Sequence, residues 1–405
     1  MAKVLKKADV VVIGGGAVGT SAAYHLSLKG KKVILCEMGN IASGATGRCG
    51  GMVVHCYGRD LNIDKTDYRL MFTRANTEIM KQYQKTFEID FEFRQVGCLD
   101  IAISEEEFED LKRLVKIQSS LGDDEIELLD KKETLEAMHN LNPDLIFGSR
   151  LRGSDGNLNP FLLARAQAVE AQKLGAEILT HTRVDGIVVS NNEVQGVRIN
   201  DTIIESEYAV NAANGWASLL TEGTEVIPVR ELAMVTERLP ELPPQPFEML
   251  CLGDFAYGAT QTVSGNYNLG GPGPARPPDY DYFDERIYPD EILRVMSYIT
   301  VIFPALSEVA VIRSWVGAMG FTPDGMPSVG PMPGIKGLFL TAGYPAGMSW
   351  AAVSGKLAAE YICDKETSLP IDRMDPGRFI GKPKIKWPQP YDLTVCHDFL
   401  TGGDN

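Results

Sequence analysis

The hydrophobic pattern at the start of the chain predicts a strand, a helix and a second strand. Residues 9–13 form a short, β-branched and almost fully apolar run, which is typical of a buried parallel strand. A glycine-rich turn follows, and apolar residues then recur every four positions from Val18 to Leu26, which predicts a helix with one apolar face. Residues 32–36 form the second apolar run, which ends before Glu37. This order of elements is typical of an α/β fold.

The glycines of the first turn match the dinucleotide-binding motif GxGxxG. Gly14 permits the tight turn, Gly16 lets the backbone approach a pyrophosphate, and Gly19 lets the helix pack on the strand. A pyrophosphate would lie on the free N–H groups at the start of the helix. Glu37 lies 18 positions after Gly19, where a carboxylate can bind both ribose hydroxyls and would repel a 2′-phosphate. The alternative, a glycine-rich turn in an ordinary α/β protein, leaves the three glycines and the acid in register unexplained.

Residues 40–60 form a loop of small side chains, which could lie against a flat ring system because glycine exposes its backbone. Arg48 could donate a charge-assisted hydrogen bond to a phosphate or to a ring carbonyl, or it could be a solvated loop charge. His55, Tyr57 and Arg59 follow and could face a substrate, although a single histidine is more often structural.

The rest of the chain alternates helices, strands and turns that divide it into two regions. Residues 153–220 and 322–362 have helices and buried strands of the α/β type. Residues 227–320 alternate strands with proline- and glycine-rich turns, which predicts a mixed or antiparallel sheet in a second domain. A glycine turn after residue 342 leads into a last helix, whose N-terminus could face negative charge on a bound ring. The other main helices are predicted over residues 64–90, 104–121, 130–138, 161–174 and 288–303.

Composition and charge narrow the possible partners and location. The chain has 405 residues, of which 44% are hydrophobic and 23% charged, and its net charge is −15 at pH 7. This charge makes nucleic acids and anionic membrane surfaces poor partners. The longest apolar runs are strand-sized, so we expect no membrane span, and the basic residues 3–7 are too few for a targeting signal. Seven cysteines without a CxxC pair indicate reduced thiols, a cytoplasmic location and no metal site on this chain.

Seven motifs in a fixed order resemble one family of flavoproteins. They are GGGAVG with Glu37, SGATGRCGGM, DGNLNP, TRVDGI, AANGW, WVGAMGFTPDGMPSVG and GLFLTAGYPAGMS, and they extend from residue 9 to about residue 362. The chain resembles the D-amino-acid oxidase-like superfamily of FAD-dependent oxidoreductases. It is most similar to the branch that holds glycine oxidase, the β-subunits of sarcosine oxidase and proline dehydrogenase, and the flavoprotein subunits of hydrogen cyanide synthase.

The resemblance implies an α/β fold with a Rossmann-like FAD-binding domain, in which a parallel sheet carries a three-stranded antiparallel piece. It also implies a second α+β substrate domain built on a mixed antiparallel sheet. The expected FAD-binding domain is discontinuous and covers residues 1–85, 150–220 and 322–370. The expected substrate or partner domain covers residues 86–149 and 221–321, and residues 371–405 form a C-terminal tail.

The resemblance further implies that FAD is bound without a covalent link and in an extended form. The glycine turn would bind the pyrophosphate, Glu37 the adenosine ribose, and Val184 the adenine through its backbone. The residues implied to bind the cofactor are Gly14, Gly15, Gly16, Ala17, Val18, Gly19, Glu37, Met38, Ala45, Thr46, Arg48, Gly50, Gly51, Met52, Val184, Gly215, Trp216, Gly343, Tyr344, Ala346, Gly347, Met348 and Ser349.

The implied reaction is oxidation of the CH–NH bond of a small amine, imino acid or amino acid, with hydride transfer to flavin N5. Glycine-oxidase-like relatives hold the substrate carboxylate with an arginine between the Trp and the Thr of the WVGAMGFT stretch. This chain has Ala318, Met319 and Gly320 at that place, so an amino-acid carboxylate would need another anchor. The candidate substrate-pocket residues are His55, Arg59, Tyr257 and Met319.

Three functions remain open from the sequence. The leading one is the flavoprotein subunit of a multi-subunit dehydrogenase, whose partner subunit would carry FMN or an iron–sulfur cluster as the electron acceptor. The second is a stand-alone glycine- or sarcosine-type oxidase that releases hydrogen peroxide. The third is an FAD-bearing electron-transfer subunit without catalysis of its own, which the missing carboxylate-binding arginine favours.

Overall fold

Two large sheets, one mostly parallel and one antiparallel, place the candidate site. They are seen in a computed structural model of the chain. The structure describes residues 3–55, 61, 63, 68–239, 247–250, 256–271, 283, 285–344 and 346–382.

The described residues form strands, α-helices and short 3₁₀ turns. In chain order the strands are β1 Lys3–Lys7, β2 Val10–Ile13, β3 Val33–Cys36, β4 Met52–Val53, β5 Arg94–Gln95, β6 Cys98–Ala102, β7 Ile126–Asp130, β8 Gly148–Arg152, β9 Gly156–Asn157, β10 Glu177–Leu179, β11 Gly186–Ser190, β12 Glu193–Ile199, β13 Thr202–Glu205, β14 Tyr208–Asn211, β15 Ile227–Arg238, β16 Phe247–Leu250, β17 Ala256–Gln261, β18 Asn266–Gly271, β19 Val311–Phe321, β20 Ser328–Pro331 and β21 Leu338–Ala342. The α-helices are α1 Ala17–Leu28, α2 Arg69–Thr86, α3 Glu105–Ser120, α4 Lys131–Ala137, α5 Pro160–Lys173, α6 Pro289–Ile302 and α7 Ala351–Asp364. The 3₁₀ turns cover Ala45–Arg48, Asn214–Leu219, Pro304–Glu308, Gly347–Ser349, Asp372–Met374 and Pro376–Phe379.

A six-stranded sheet in the order β10–β3–β2–β14–β21–β20 carries the first part of the site. Its strands are parallel except β20, which runs antiparallel to β21. Every residue of β2 and β3 is buried because both faces of the sheet are covered. Helices α1, α5 and α7 pack together on one face, where Leu26, Phe339 and Leu357 belong to the same core.

The other face of the parallel sheet packs on four strands in the order β1–β13–β12–β11. Val11 and Ile34 of the parallel sheet meet Val197 and Ile204 of these strands. The three antiparallel strands expected here are β11, β12 and β13, and β1 is an addition that pairs in parallel with β13. The sequence of β1, KVLKK, does not predict a strand because it is short and rich in lysine, a residue common on sheet edges.

A five-stranded antiparallel sheet, in the order β16–β17–β18–β15–β19, forms the second region. One face packs with α6 and the small sheet β6–β8–β7, where Leu232, Met234 and Val295 share a core. The opposite face packs against the loop around Arg48. On this side the indole of Trp315, in β19, donates a hydrogen bond to the Arg48 backbone carbonyl at 2.9 Å. The predicted fold class, an α/β domain joined to a second domain with an antiparallel sheet, is thereby confirmed.

The expected boundary at residue 150 needs a correction. It would cut β8, which pairs along its whole length with β6 and with β7. These three strands form one sheet, so we move the proposed boundary to the residue after Arg152. The remaining division into domains stays a prediction.

The predicted helices over residues 64–90 and 288–303 correspond to α2 and α6, with shorter bounds. Residues 64–67 lie outside the described part of the chain. Of the expected tail, residues 371–382 are described, and Arg378 in this segment bonds to the Asp324 carboxylate at 2.8 Å. Within the described residues, no helix has both the length and the apolar character that crossing a membrane requires.

Candidate functional site

A cavity of about 390 Å³ lies at the carboxyl edge of the parallel sheet. Its lining residues follow β2, β3, β10, β14 and β21, because the ends of adjacent parallel strands converge at one edge. The loop of residues 44–49 and Met319 of β19 complete the wall. Segments far apart in sequence therefore share one elongated site.

The first turn is held in its shape by two close backbone approaches. Gly14 has a φ of +107°, and a Cβ at this position would lie 2.7 Å from the Ala212 carbonyl oxygen. A Cβ at Gly19 would lie 2.0 Å from the Gly14 carbonyl oxygen. Helix α1 begins directly after Gly16, and the N–H of Ala17 donates to Thr46 Oγ1 at 3.0 Å. The other first-turn amides point toward the same end, where the cavity lies.

Glu37 is fixed by the backbone at the end of β3. Its carboxylate accepts hydrogen bonds from the Gly15 N–H at 2.6 Å and the Gly39 N–H at 2.7 Å. The residue is 7% exposed and lines the cavity. A carboxylate has about four acceptor positions, so Glu37 can accept ribose hydroxyls while keeping both backbone bonds.

Arg48 is engaged by protein groups and does not line this cavity. Its Nε donates to the Ser43 carbonyl at 3.1 Å, and Nη1 donates to the Val316 carbonyl at 2.6 Å. Its Nη2 lies 2.6 Å from a carboxylate oxygen of Glu285. The guanidinium therefore ties the small-residue loop to β19, and neither of the two roles considered from the sequence fits this placement.

Asn214 organises the far side of the cavity, which it also lines. It has a φ of +44°, a conformation that asparagine adopts more readily than most residues. Its Oδ1 accepts the Gly343 N–H at 2.9 Å and the Tyr344 N–H at 3.1 Å, and so fixes the turn after β21. Nearby, the rings of Trp216 and Phe283 stack with centroids 5.0 Å apart. Asn214 is absent from the predicted site residues, although the AANGW motif contains it.

The start of α7 differs from the expected open helix N-terminus. The Oδ1 of Asn76, on α2, accepts the N–H of Ala352 at 2.8 Å and that of Val353 at 3.2 Å. Its Nδ2 donates to the Met348 carbonyl at 3.0 Å. These amides are therefore satisfied from within the protein, and the preceding turn, through Tyr344 and Met348, lines the cavity instead.

His55 lies in a buried hydrogen-bond network outside this cavity. Its backbone N–H donates to the Asp155 carboxylate at 2.8 Å. Its ring nitrogens Nε2 and Nδ1 lie 2.8 Å from Thr77 Oγ1 and 3.1 Å from Ser154 Oγ. Burial, and then the charge of Arg152, lower the pKa of His55 to about 3. A neutral, fully bonded imidazole is a structural residue, so the predicted substrate-facing role of His55 does not fit.

The predicted residues separate into those that line the cavity and those that support or lie outside it. The cavity is lined by Gly14, Gly16, Ala17, Val18, Glu37, Met38, Ala45, Thr46, Val184, Trp216, Met319, Tyr344, Gly347 and Met348. Not in its lining are Gly15, Gly19, Arg48, Gly50, Gly51, Met52, Gly215, Gly343, Ala346 and Ser349. Arg59 lies outside the described residues, and so does the side chain of Tyr257.

The family model described as DAO, FAD dependent oxidoreductase, matches residues 9–361. The chain belongs to this family. The match covers both large sheets and every described segment that lines the cavity, and it confirms the family that the seven motifs indicate.

Several proteins of known name are similar to this member of the family. The chain is 26% identical to glycine oxidase from Geobacillus kaustophilus, over 92% of this chain and 98% of the relative. It is 25% identical to the hydrogen cyanide synthase subunit HcnC of Pseudomonas protegens, over 95% of this chain and all of the relative. The crystal structure of L-proline dehydrogenase from P. horikoshii superposes with a TM-score of 0.81 at 28% identity, covering 92% and 98% of the two chains.

Human mitochondrial dimethylglycine dehydrogenase is 25% identical over 92% of this chain. The chain spans 44% of the length of that relative.

The residues of the cavity fit the FAD that the family name specifies. Gly14 and Gly16 line the cavity without side chains, so the backbone of the turn stays open to a pyrophosphate. Glu37 is placed for a ribose, and the stacked Trp216 and the apolar Met348 offer surfaces for flat rings. Among the described residues, no group of three or more His, Cys, Asp or Glu side chains is arranged to hold a metal ion.

Proposed function

We propose that this FAD-dependent oxidoreductase oxidises the CH–NH bond of a small amine or amino acid, as the flavoprotein subunit of a multi-subunit dehydrogenase. The observation that carries the proposal is the cavity itself. It joins the glycine turn after β2 to Met319 on the antiparallel sheet, so a dinucleotide held at one end presents its ring beside that sheet. The names of the relatives support an amine or amino-acid substrate.

Bound FAD would supply the hydride acceptor, and the protein would supply binding, orientation and exclusion of water. First-turn amides of α1 and Thr46 would hold the pyrophosphate, and Glu37 the ribose. Met319, Tyr344 and Met348 would form an apolar wall at the other end. Such a wall favours the neutral form of an amine, which is the form that can lose a hydride.

The subunit role is supported by the relative HcnC, which carries the word subunit in its name and matches over its whole length. The second candidate, a stand-alone oxidase, is supported by the full-length match to glycine oxidase. The two functions differ in where the electrons go, because only the oxidase transfers them rapidly to oxygen.

The test is anaerobic reduction of the purified protein by a panel of amines and amino acids, followed by admission of oxygen. The proposal predicts that at least one amine bleaches the visible flavin absorbance, and that colour returns slowly in air but rapidly with an artificial electron acceptor. Rapid recovery in air with formation of hydrogen peroxide would favour the oxidase instead. If no member of the panel reduces the flavin, oxidation of these amines is ruled out, and the result favours an electron-transfer subunit.

A further inference from the structure

The sheet face that borders the cavity carries a carboxylate, Glu231. In the register of β15 and β19, Val229 lies opposite Met319, and Glu231 lies opposite Gly317. Directly paired residues of antiparallel strands project from the same face. Glu231 and Met319 therefore project from the same face of the sheet, as diagonal neighbours on adjacent strands. Met319 lines the cavity.

The small-residue loop packs on this face beside Glu231. A Cβ built at Gly317 would lie 2.9 Å from the Cβ of Arg48, so the loop meets the sheet directly opposite Glu231. The charge of Glu231 also reaches Cys49: after burial, it contributes to raising the pKa of that thiol to about 11. Since Cys49 lines the cavity, the loop that packs beside Glu231 also forms part of the cavity wall.

Small residues are the neighbours of this carboxylate on the sheet. Ala233 follows Glu231 on the same face and pairs with Gly270, which pairs in turn with Gly258. A Cβ at Gly258 would have the Met52 sulfur, at 3.7 Å, as its nearest neighbour. The residues beside Glu231 on this face therefore carry small side chains or none.

Within the part of the chain that the structure describes, no protein cation binds the carboxylate of Glu231. It is partly buried, burial raises its pKa to about 7, and among the described residues it forms no hydrogen bond or ion pair. Arg48 is occupied by Ser43, Val316 and Glu285. A partly buried carboxylate without a partner is destabilised, and an ammonium group would compensate it through a charge-assisted hydrogen bond.

We propose that Glu231 binds the ammonium group of the arriving substrate and then accepts one of its protons, which leaves the neutral amine that can lose a hydride. We also propose that the enzyme accepts small alkylamines in preference to molecules with a carboxylate beside the amine. Glu231 would then replace, with opposite charge, the carboxylate-binding arginine that is missing at Ala318, Met319 and Gly320. The inference rests on the proposed function, since it assigns the substrate class of the same site.

Calorimetric titration of the FAD-loaded protein with three probes of equal length tests the assignment: butylammonium, 1-butanol and butyrate. We expect wild-type protein to bind butylammonium at least about tenfold more tightly than butyrate, and Glu231→Gln to weaken butylammonium binding by about tenfold or more. Glu231→Asp keeps the charge and should retain most of the affinity. Glu237→Gln removes the same charge from the same strand and serves as the matched control.

Equal binding of butylammonium by wild type and a folded Glu231→Gln variant would overturn the assignment, as would tighter binding of butyrate than of butylammonium. If Glu231→Gln does not fold, the relative affinities of the wild-type protein still test the assignment. Binding of butylammonium that is no tighter than binding of 1-butanol would also contradict an ammonium site. The proposed function is judged separately by reduction of the flavin. An amine that reduces the flavin while Glu231→Gln leaves binding unchanged would refute only the role of Glu231.

Discussion

At the scale of single residues, the site depends on a few positions where an added atom has no place. Gly19 is one of them, and the sequence predicts it, because the third glycine of GxGxxG allows the helix to pack closely on the strand. Arg48 is the opposite case, since its bonds to Val316 and Glu285 join segments far apart in sequence. No local pattern predicts such partners, which explains why the sequence indicated a ligand contact there.

Gly19→Ala should disrupt the site severely. The new Cβ would lie 2.0 Å from the Gly14 carbonyl oxygen, so α1 must move away from the turn. We expect a loss of stability on the order of 2–3 kcal/mol and loss of FAD binding. Urea denaturation and the flavin content of the purified protein measure the two effects. Gly153→Ala is the matched control, because its Cβ would meet no atom within 4 Å; equal behaviour of the two variants would contradict the packing argument.

Glu37→Gln tests the ribose contact. The two carboxylate oxygens accept one hydrogen bond each, from the Gly15 N–H and the Gly39 N–H. The amide keeps the size of the side chain, but its NH₂ group cannot accept, so one of these two bonds is lost. We expect FAD affinity to fall by about tenfold or more, measured by fluorescence titration of the apoprotein. Glu205→Gln, which removes a surface partner of Lys7, should bind FAD normally. Unchanged affinity in Glu37→Gln would exclude a role for Glu37 in cofactor binding.

At the scale of elements, the sequence predicts strands β2 and β3 and helix α1 well, because their apolar periodicity is local and unbroken. It misses β1, whose pairing with β13 is a long-range contact. It also assigns the N-terminus of α7 to a ligand, whereas Asn76 on α2 satisfies its amides. In each miss, a tertiary partner rather than the local pattern decides the outcome.

Asn76→Ala removes the side chain that caps α7. The N–H groups of Ala352 and Val353 would lose their acceptor inside the protein, and the Met348 carbonyl would lose its donor. We expect a decrease of about 1–3 kcal/mol in the free energy of unfolding, together with weaker FAD binding as the 344–348 turn loosens. Denaturant titration gives the first value. Gln82→Ala, at an exposed position of the same helix, should change little, and an equally small effect for Asn76→Ala would argue against the cap.

At the scale of the whole molecule, a half-buried neutral histidine, His25, makes the fold sensitive to acid. Burial, and then the charge of Lys356, lower the pKa of His25 to about 3 from its ordinary value of 6.5, and its Nε2 lies 2.7 Å from the Tyr83 hydroxyl. The unfolded chain therefore binds a proton below pH 6.5 that the folded protein does not bind, so stability is lost as the pH falls from 6.5 toward 3.

His25→Gln should flatten this dependence. Between pH 7 and pH 5, the free energy of unfolding of the wild-type protein should fall by about 2 kcal/mol more than that of the variant. The reason is that only the wild type gains a proton at this position on unfolding. The free energy of unfolding, measured by denaturant at each pH, gives the difference. A difference between the two proteins that is constant over this range would show that His25 is not held neutral in the fold.

The central claim is that distant segments converge on one elongated cavity that holds a single FAD. Titration of the purified apoprotein with FAD, followed by calorimetry and by the visible spectrum, tests it most directly. The account predicts saturable binding of one FAD per chain, a yellow protein that releases its flavin on acid precipitation, and no comparable binding of NAD. A colourless protein that takes up NAD but not FAD would contradict it.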